Sequence, residues 1–456
     1  MNQERFSERL PKRILMTADP IGGVWTYALE LASALRENGV EVCLATMGAP
    51  LTAQQERQAM ALGNVQIHES RFKLEWMEEP WDDVAAAGEW LLDLEQRLQP
   101  EIIHLNGYAH GALPWSAPVL VAAHSCVCSW WKAVHQAPAP SAWDRYRTAV
   151  SAGLRAADLV VAPSQGMIDG LCESYAPIPQ PEVIYNGRAL SLGEDSAKER
   201  MVLAAGRLWD EAKNLRALAA VAERLPWPVC LAGDAQAPGE KTISEASQNS
   251  EGNWRFDDVR LENDRAESEG CAQAGGLRFL GRLAPEELRR WFSRASIYAL
   301  PARYEPFGLS ALEAGLAGCA LVLGDIPTLR EVWGDAALFV PPSDTEFLRN
   351  TLLDLMFDSV RLHQMASRAR TRALEFTPRR MADSYLRVYG RLLRLGTGRT
   401  AQRPSADDLP EPAEARATGS LGGPSDLTTQ PQRWSSTPQA SCSSRRATEG
   451  KALCAS

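Results

Sequence analysis

The 456-residue chain is 45% hydrophobic and 23% charged, the balance of a folded globular protein long enough for two or three domains. Its formal net charge of −9 argues against sequence-independent binding of DNA, which relies on a basic surface, though not against a local basic pocket for a phosphate. Nine cysteines without a CxxC pair argue against a zinc ribbon or a thioredoxin-type motif and suggest reduced thiols in a cytoplasmic protein. No apolar run reaches the ~20 residues that span a membrane, and the opening "MNQERFSERLPKRILM" lacks the apolar core of a signal peptide.

Residues 13–18, "RILMTA", read as a short buried strand. "DPIGG" interrupts it, and in 24–35 Val24, Trp25, Ala28, Leu29, Leu31, Ala32 and Leu35 recur at helical spacing. Gly39 is a natural stop, and "VEVCLAT" (40–46) is the next strand, so the chain opens as a βαβ unit. Further apolar runs follow at 101–105, 119–124, 159–163 and 182–185. They lack strict alternation, as expected for strands covered on both faces of a parallel sheet. The turn dipeptide Asn186-Gly187 and the polar stretch "LSLGEDSAKER" then predict a linker.

A second cycle of such strands starts at "MVLAAGRL" (201–208) and runs through 228–234, 277–283, 296–301, 320–325 and 336–342. The expected fold class is therefore α/β, with two Rossmann-like doubly wound domains, at 1–190 and 191–378. An amphipathic helix follows at 379–396. Residues 235–275 are too polar and too long for an ordinary connection and are expected to be a disordered insertion. The Ser-, Thr- and Pro-rich segment 397–456 is expected to be a disordered tail.

In "ARYEPFGLSALEAGLAG" (302–318), Glu305 and Glu313 lie eight positions apart on either side of a predicted helix start near Leu309 or Ser310. Free N–H groups and the positive end of the helix dipole lie beside them. Two carboxylates there suit the hydroxyls of a sugar ligand. On spacing alone a helix-start preference plus one solvated side chain accounts for them better. Arg207 and Lys213 follow the first strand of the second cycle, at the carboxyl edge where doubly wound sheets bind ligands. Such a pair can neutralise a pyrophosphate or be simply solvated. Gly22 and Gly23 permit close approach of a phosphate to backbone N–H groups, but the pattern is not GxGxxG and is a weak cue for a dinucleotide. His124, at the end of its predicted strand, could bond a substrate hydroxyl or serve as a core histidine. Asn106 and His110 are weaker acceptor-side candidates of the same kind.

"GGVWTYALELASAL", "GRLWDEAKNL" and "EPFGLSALEA", in that order, resemble the nucleotide-sugar-dependent glycosyltransferases of family 4 (group 1), whose GT-B fold sets two Rossmann-like domains across a cleft. The resemblance spans about residues 13–395, and "VAAHSCVCSWWKAV" and "HLNGYAHGALPW" look like a bacterial subgroup. It implies that Arg207 and Lys213 bind the donor diphosphate. It implies that Glu305, with the N–H groups of Phe307, Gly308 and Leu309, meets the donor sugar, and that Glu313 holds the ribose. Gly22 and Gly23 would lie near the phosphates and acceptor, and His124 near the reacting sugar. The reaction implied retains anomeric configuration and needs no metal or other cofactor, the donor being a nucleoside diphosphate sugar and the acceptor an unspecified hydroxyl compound. The helix at 379–396 would return to the first domain. A peripheral contact with the inner membrane and a lipid-linked acceptor are compatible with this, and nucleic acid is not expected. Alternatives are an epimerase or hydrolase of the same fold, a non-catalytic sugar-nucleotide binding protein, and a dinucleotide-dependent oxidoreductase.

Overall fold

The expected strands pair in parallel, as two sheets. The computed structural model describes residues 9–175, 177–189, 197–234 and 276–396; the expected insertion at 235–275 and tail at 397–456 lie outside the described residues. The first sheet has seven strands: β1 (Arg13–Ala18), β2 (Glu41–Thr46), β3 (Val65–Glu69), β4 (Ile102–Leu105), β5 (Val119–Ala122), β6 (Leu159–Ala162) and β7 (Glu182–Val183), in the order β3-β2-β1-β4-β5-β6-β7. The second has six: β8 (Glu199–Ala205), β9 (Pro228–Ala232), β10 (Gly276–Gly281), β11 (Ala295–Leu300), β12 (Ala320–Gly324) and β13 (Leu338–Val340), in the order β10-β9-β8-β11-β12-β13. Both are doubly wound. The winding reverses between β1 and β4 in one sheet and between β8 and β11 in the other, and ligands bind at the carboxyl ends of strands flanking such reversals.

Among the described residues, six helices accompany the first sheet: α1 (Gly23–Arg36), α2 (Ala53–Met60), α3 (Trp81–Leu98), α4 (Val127–His135), α5 (Asp144–Ala156) and α6 (Gln165–Tyr175). Six described helices accompany the second: α7 (Leu215–Ala222), α8 (Pro285–Arg294), α9 (Leu309–Leu316), α10 (Pro327–Trp333), α11 (Thr345–Phe357) and α12 (Ser359–Ala373). The last, α13 (Pro378–Gly396), packs on α1 and β4 of the first sheet.

The absence of alternation in the strand sequences has its physical reason in the layers. Leu15 of β1 belongs to one buried cluster, whereas Ile14 and Met16 belong to the cluster on the opposite face, so the strand is covered on both faces from Ile14 onward. The α13 stripe Met381, Tyr385, Leu386, Tyr389, Leu392 and Leu393 completes that second cluster. β3 escaped the sequence reading: it is an edge strand, with Gln66 and Glu69 exposed, and "VQIHE" carries no continuous apolar run. Glu199 and Arg200, which the composition assigned to the linker, open β8.

The segments 185–189 and 376–378, each between a strand or helix of one sheet and one of the other, touch. The Arg188 N–H donates to the Phe376 carbonyl at 3.0 Å. A Cβ at Gly187 would lie 2.3 Å from the Thr377 carbonyl oxygen, so no side chain fits at that position. Nearby, Glu331 of α10 accepts from the Gln165 and Gly166 N–H groups at the start of α6, at 2.8 and 3.0 Å, and the Ser164 hydroxyl donates to the Pro306 carbonyl at 2.7 Å. The lobes are thus tied along one side of the cleft.

Candidate active site

Beyond the carboxyl end of β8 the chain runs Gly206-Arg207-Leu208-Trp209-Asp210 into a short 3-10 turn at Glu211–Lys213. Asp210 organises this loop. Its side chain is 3% exposed and accepts from Arg207 Nη2 at 2.7 Å, from the Ala212 N–H at 3.0 Å and from Trp130 Nε1 of α4 at 3.0 Å. Burial pushes its carboxyl up, but the charges of Arg207 and Lys213 and the two N–H bonds outweigh this and hold it below the usual carboxylate range. Arg207 also lies over the Trp209 ring, 5.1 Å from its centroid, and its guanidinium stays about half exposed. Asn214, at φ 54°, donates to the carbonyls of Pro301 and Pro342 at 2.9 and 2.8 Å, fixing the loop to the chain beyond β11 and β13.

Glu305 stands in the loop between β11 and α9. Its Oε2 accepts from Lys213 Nζ at 2.6 Å and its Oε1 from the Gly308 N–H at 3.0 Å, just before α9 begins at Leu309. Gly308 has φ 90°, a conformation that favours glycine, and Phe307 anchors the loop by packing its buried ring edge-on against Phe376. The Thr328 hydroxyl holds the Glu305 carbonyl at 2.6 Å. Glu313, on α9, accepts from Arg188 Nε at 2.6 Å, and the same guanidinium pairs with Glu30 of α1.

The first lobe faces these groups with a turn and a set of neutral hydrogen bonds. Gly22 caps α1 at φ 89°, and a Cβ there would meet nothing within 4 Å, so conformation alone selects glycine. A Cβ at Gly23 would touch Leu309 Cδ1 at 3.4 Å, which sets the glycine turn against the start of α9. Asp19, just beyond β1, accepts from the Ile21 N–H at 2.8 Å. Burial raises its carboxyl to about 6, opposed by that bond and by the charge of Arg207. Asn106 follows β4. Its Nδ2 donates to the Thr17 carbonyl at 2.6 Å, which orients the amide so that Oδ1 faces His124 Nε2 at 2.8 Å. An amide oxygen only accepts, so His124 carries its proton on Nε2 and presents an Nδ1 lone pair. Burial lowers this imidazole to about 4, so it is neutral near pH 7, and Tyr27 meets it edge-on with ring centroids 4.4 Å apart.

Arg207, Lys213, Glu305 and the Gly308 N–H thus converge at the β8/β11 reversal, and Gly22, Gly23 and Asn106 lie at the β1/β4 reversal. Two sequence expectations need correction. His124 lies two residues beyond the end of β5 rather than at the strand terminus. His110 does not join the acceptor-side group: its buried ring bonds the Val84 carbonyl at 2.9 Å through Nε2, its backbone carbonyl accepts from Trp115 Nε1, and burial lowers its pKa. Sequence reasoning missed Asp19, Glu30, Trp130, Arg188, Asp210 and Asn214. Asp210 had a local signal, three residues after Arg207; Trp130 and Glu30 had none, because their partners lie 80 and 158 residues away.

Residues 21–192 match the model of glycosyltransferase family 4, and residues 194–372 match that of glycosyl transferases group 1. The chain belongs to this glycosyltransferase family. Among curated relatives of this glycosyltransferase, glycogen synthase from Mycobacterium tuberculosis is 26% identical over 314 residues, covering 65% of the chain and 70% of that protein. The O-antigen chain mannosyltransferase B of Escherichia coli is 31% identical over 103 residues, 23% of the chain and 27% of that protein. Among solved structures, sucrose-phosphate synthase from Thermosynechococcus elongatus superposes with a TM-score of 0.66 at 20% identity, over 84% of the chain and 100% of that structure. Anabaena HepE in complex with UDP-glucose does so with a TM-score of 0.61 at 17% identity, over 82% and 98%. The glycosyltransferase therefore has the two-domain GT-B architecture. None of its described helices is long and apolar enough to cross a membrane.

Proposed function

We propose that this glycosyltransferase moves a sugar, a hexose by analogy with the UDP-glucose held by HepE, from a nucleoside diphosphate sugar to an acceptor hydroxyl, with retention of configuration and without a bound metal or other cofactor. The observation that carries the proposal is the pairing of Lys213 with Glu305 at 2.6 Å beside Arg207, at the reversal point of the second sheet. Bond cleavage leaves growing negative charge on the diphosphate. Arg207, Lys213 and the N-terminal end of α9 are placed to stabilise it, the task that a divalent cation performs in other transferases. Lys213 would then turn from Glu305 to the phosphate, freeing Oε2 to accept from a hydroxyl of the donor sugar. His124, neutral and with an Nδ1 lone pair, would accept from another, and Asn106 would keep it oriented. Glu313 would hold the ribose. The support for retention is the family resemblance. The two cations support metal independence.

The test is a thermal-shift screen of nucleoside diphosphate sugars, followed by product analysis of the best one with and without hydroxyl acceptors in excess EDTA. A ligand that binds only the folded chain raises its melting temperature. The proposal expects a new glycoside of unchanged anomeric configuration, formed only when acceptor is present. A free epimer or free sugar formed equally well without acceptor would replace it by the epimerase or hydrolase reading. Stabilisation without turnover would favour a sugar-nucleotide sensor.

A further inference from the structure

The ion-pair cluster at the crossing of the two lobes has one base and two acids. Arg188 donates through Nε to Glu313 Oε1 at 2.6 Å and through Nη1 to Glu30 Oε1, and the three side chains are only 14–17% exposed. They come from three separate pieces of chain: α1 of the first lobe, the irregular segment that follows β7, and α9 of the second lobe. The backbone of Arg188 is pinned where segments 185–189 and 376–378 touch, by its N–H bond to Phe376 and by the packing of Gly187 beneath Thr377. Ala189 adds a backbone N–H to Glu30. A guanidinium offers donors in a planar fork, and this one grips a carboxylate on either side. Glu313 Oε2 has no hydrogen-bond partner among the described residues, so the acid is held by one oxygen and offers the other.

We propose that Arg188 is a positioning residue for the donor nucleotide. It fixes the rotamer of Glu313 so that the free oxygen meets the ribose hydroxyls, and it anchors that acid through Glu30 to the first lobe. Nucleotide affinity then depends on a residue of the opposite domain that touches no part of the ligand. This inference rests on the proposed role of Glu313 as the ribose carboxylate. A purely structural ion pair would stabilise the hinge without affecting how the site reads ribose.

The experiment measures the binding of UDP, ADP and GDP, each against its 2′,3′-dideoxy form, by calorimetry on the full chain. Wild type should prefer the ribo form of its nucleotide by about 10- to 100-fold, the worth of hydrogen bonds to a charged group. Glu313→Gln should reduce that ratio to a few-fold. Arg188→Lys, which keeps a positive charge between the acids but loses the fork, should reduce it to within about 3-fold. Glu30→Gln, which retains an acceptor and is the milder variant should Arg188→Lys fold poorly, should lower it by a smaller factor. Both should raise donor KM more than they lower kcat. An unchanged ribo-to-dideoxy ratio in Arg188→Lys or in a folded Glu30→Gln, with wild type discriminating and Glu313→Gln not, would overturn the positioning role and leave the donor site standing. Wild type that ignores the ribose hydroxyls, or binds none of the three nucleotides, would overturn the role of Glu313 itself.

Discussion

The two reversal points differ in chemistry although their strand orders match. At the first, between β1 and β4, the polar groups are bound mainly to each other by neutral hydrogen bonds: Asn106 to Thr17, and His124 to Asn106. At the second, between β8 and β11, they are bound as ions, Arg207 to Asp210 and Lys213 to Glu305. One topology therefore presents a site suited to hydroxyls on one side and a site suited to a charged diphosphate on the other. Fold decides where a ligand sits, and the loop residues decide what kind.

Substitutions can break this contrast. The largest effect is expected from Lys213→Ala, with a loss of about 10²–10³ in kcat/KM measured with a nucleoside diphosphate sugar. It should also lower the melting temperature, because Glu305 keeps only its Gly308 N–H bond. Adding Glu305→Gln should restore part of the stability and none of the activity.

Next comes the response to acid. Burial holds His104 at about 3, with the charge of His124 adding to the effect, and its ring is fully buried between the hydroxyls of Tyr27 and Tyr389 at 3.1 and 2.6 Å. A histidine with a folded pKa below its unfolded value is fully compatible with folding above about pH 6.5, while below that the unfolded chain takes up the proton first. Stability should therefore fall with pH by about 1.4 kcal/mol per unit for each such histidine, or about 3 kcal/mol between pH 6.5 and 4 for His104. The loss should begin in the first lobe, as read by hydrogen exchange, because His363 of the second lobe is exposed. Uniform loosening of both lobes would erase the contrast.

Smaller effects sharpen it. Gly22→Ala meets no clash, so it should cost only the backbone strain of φ 89° and ψ −148°, about 1–3 kcal/mol by denaturant titration. Trp130→Phe removes the indole N–H that reaches Asp210 from the opposite lobe. It should raise donor KM about three- to tenfold through Arg207 while leaving the fold intact.

How much of this was legible in the sequence follows from how local each feature is. β1, β8 and β11 announce themselves because both faces are covered along most of their length and their middles are unbroken apolar runs, Ile14–Met16, Met201–Ala205 and Ile297–Leu300; β3, half exposed at the edge, does not. Glu305 and Lys213 were readable because each lies beside a helix start or strand end within a short motif. His110 was misread because a histidine near a strand end looks the same whether its ring faces a cleft or the carbonyl of Val84. Arg188 sat in plain view after Asn186-Gly187, but its meaning lies in Glu30 and Glu313, which only the folded chain brings to it.

The contrast between the two reversal points is tested most directly by diffraction from crystals soaked in the nucleoside diphosphate sugar that stabilises the chain most. The account predicts the diphosphate at the carboxyl ends of β8 and β11, within hydrogen-bond distance of Arg207 and of a Lys213 that has left Glu305. A diphosphate lodged instead beside Asn106 and His124, with the Lys213–Glu305 pair undisturbed, would contradict it.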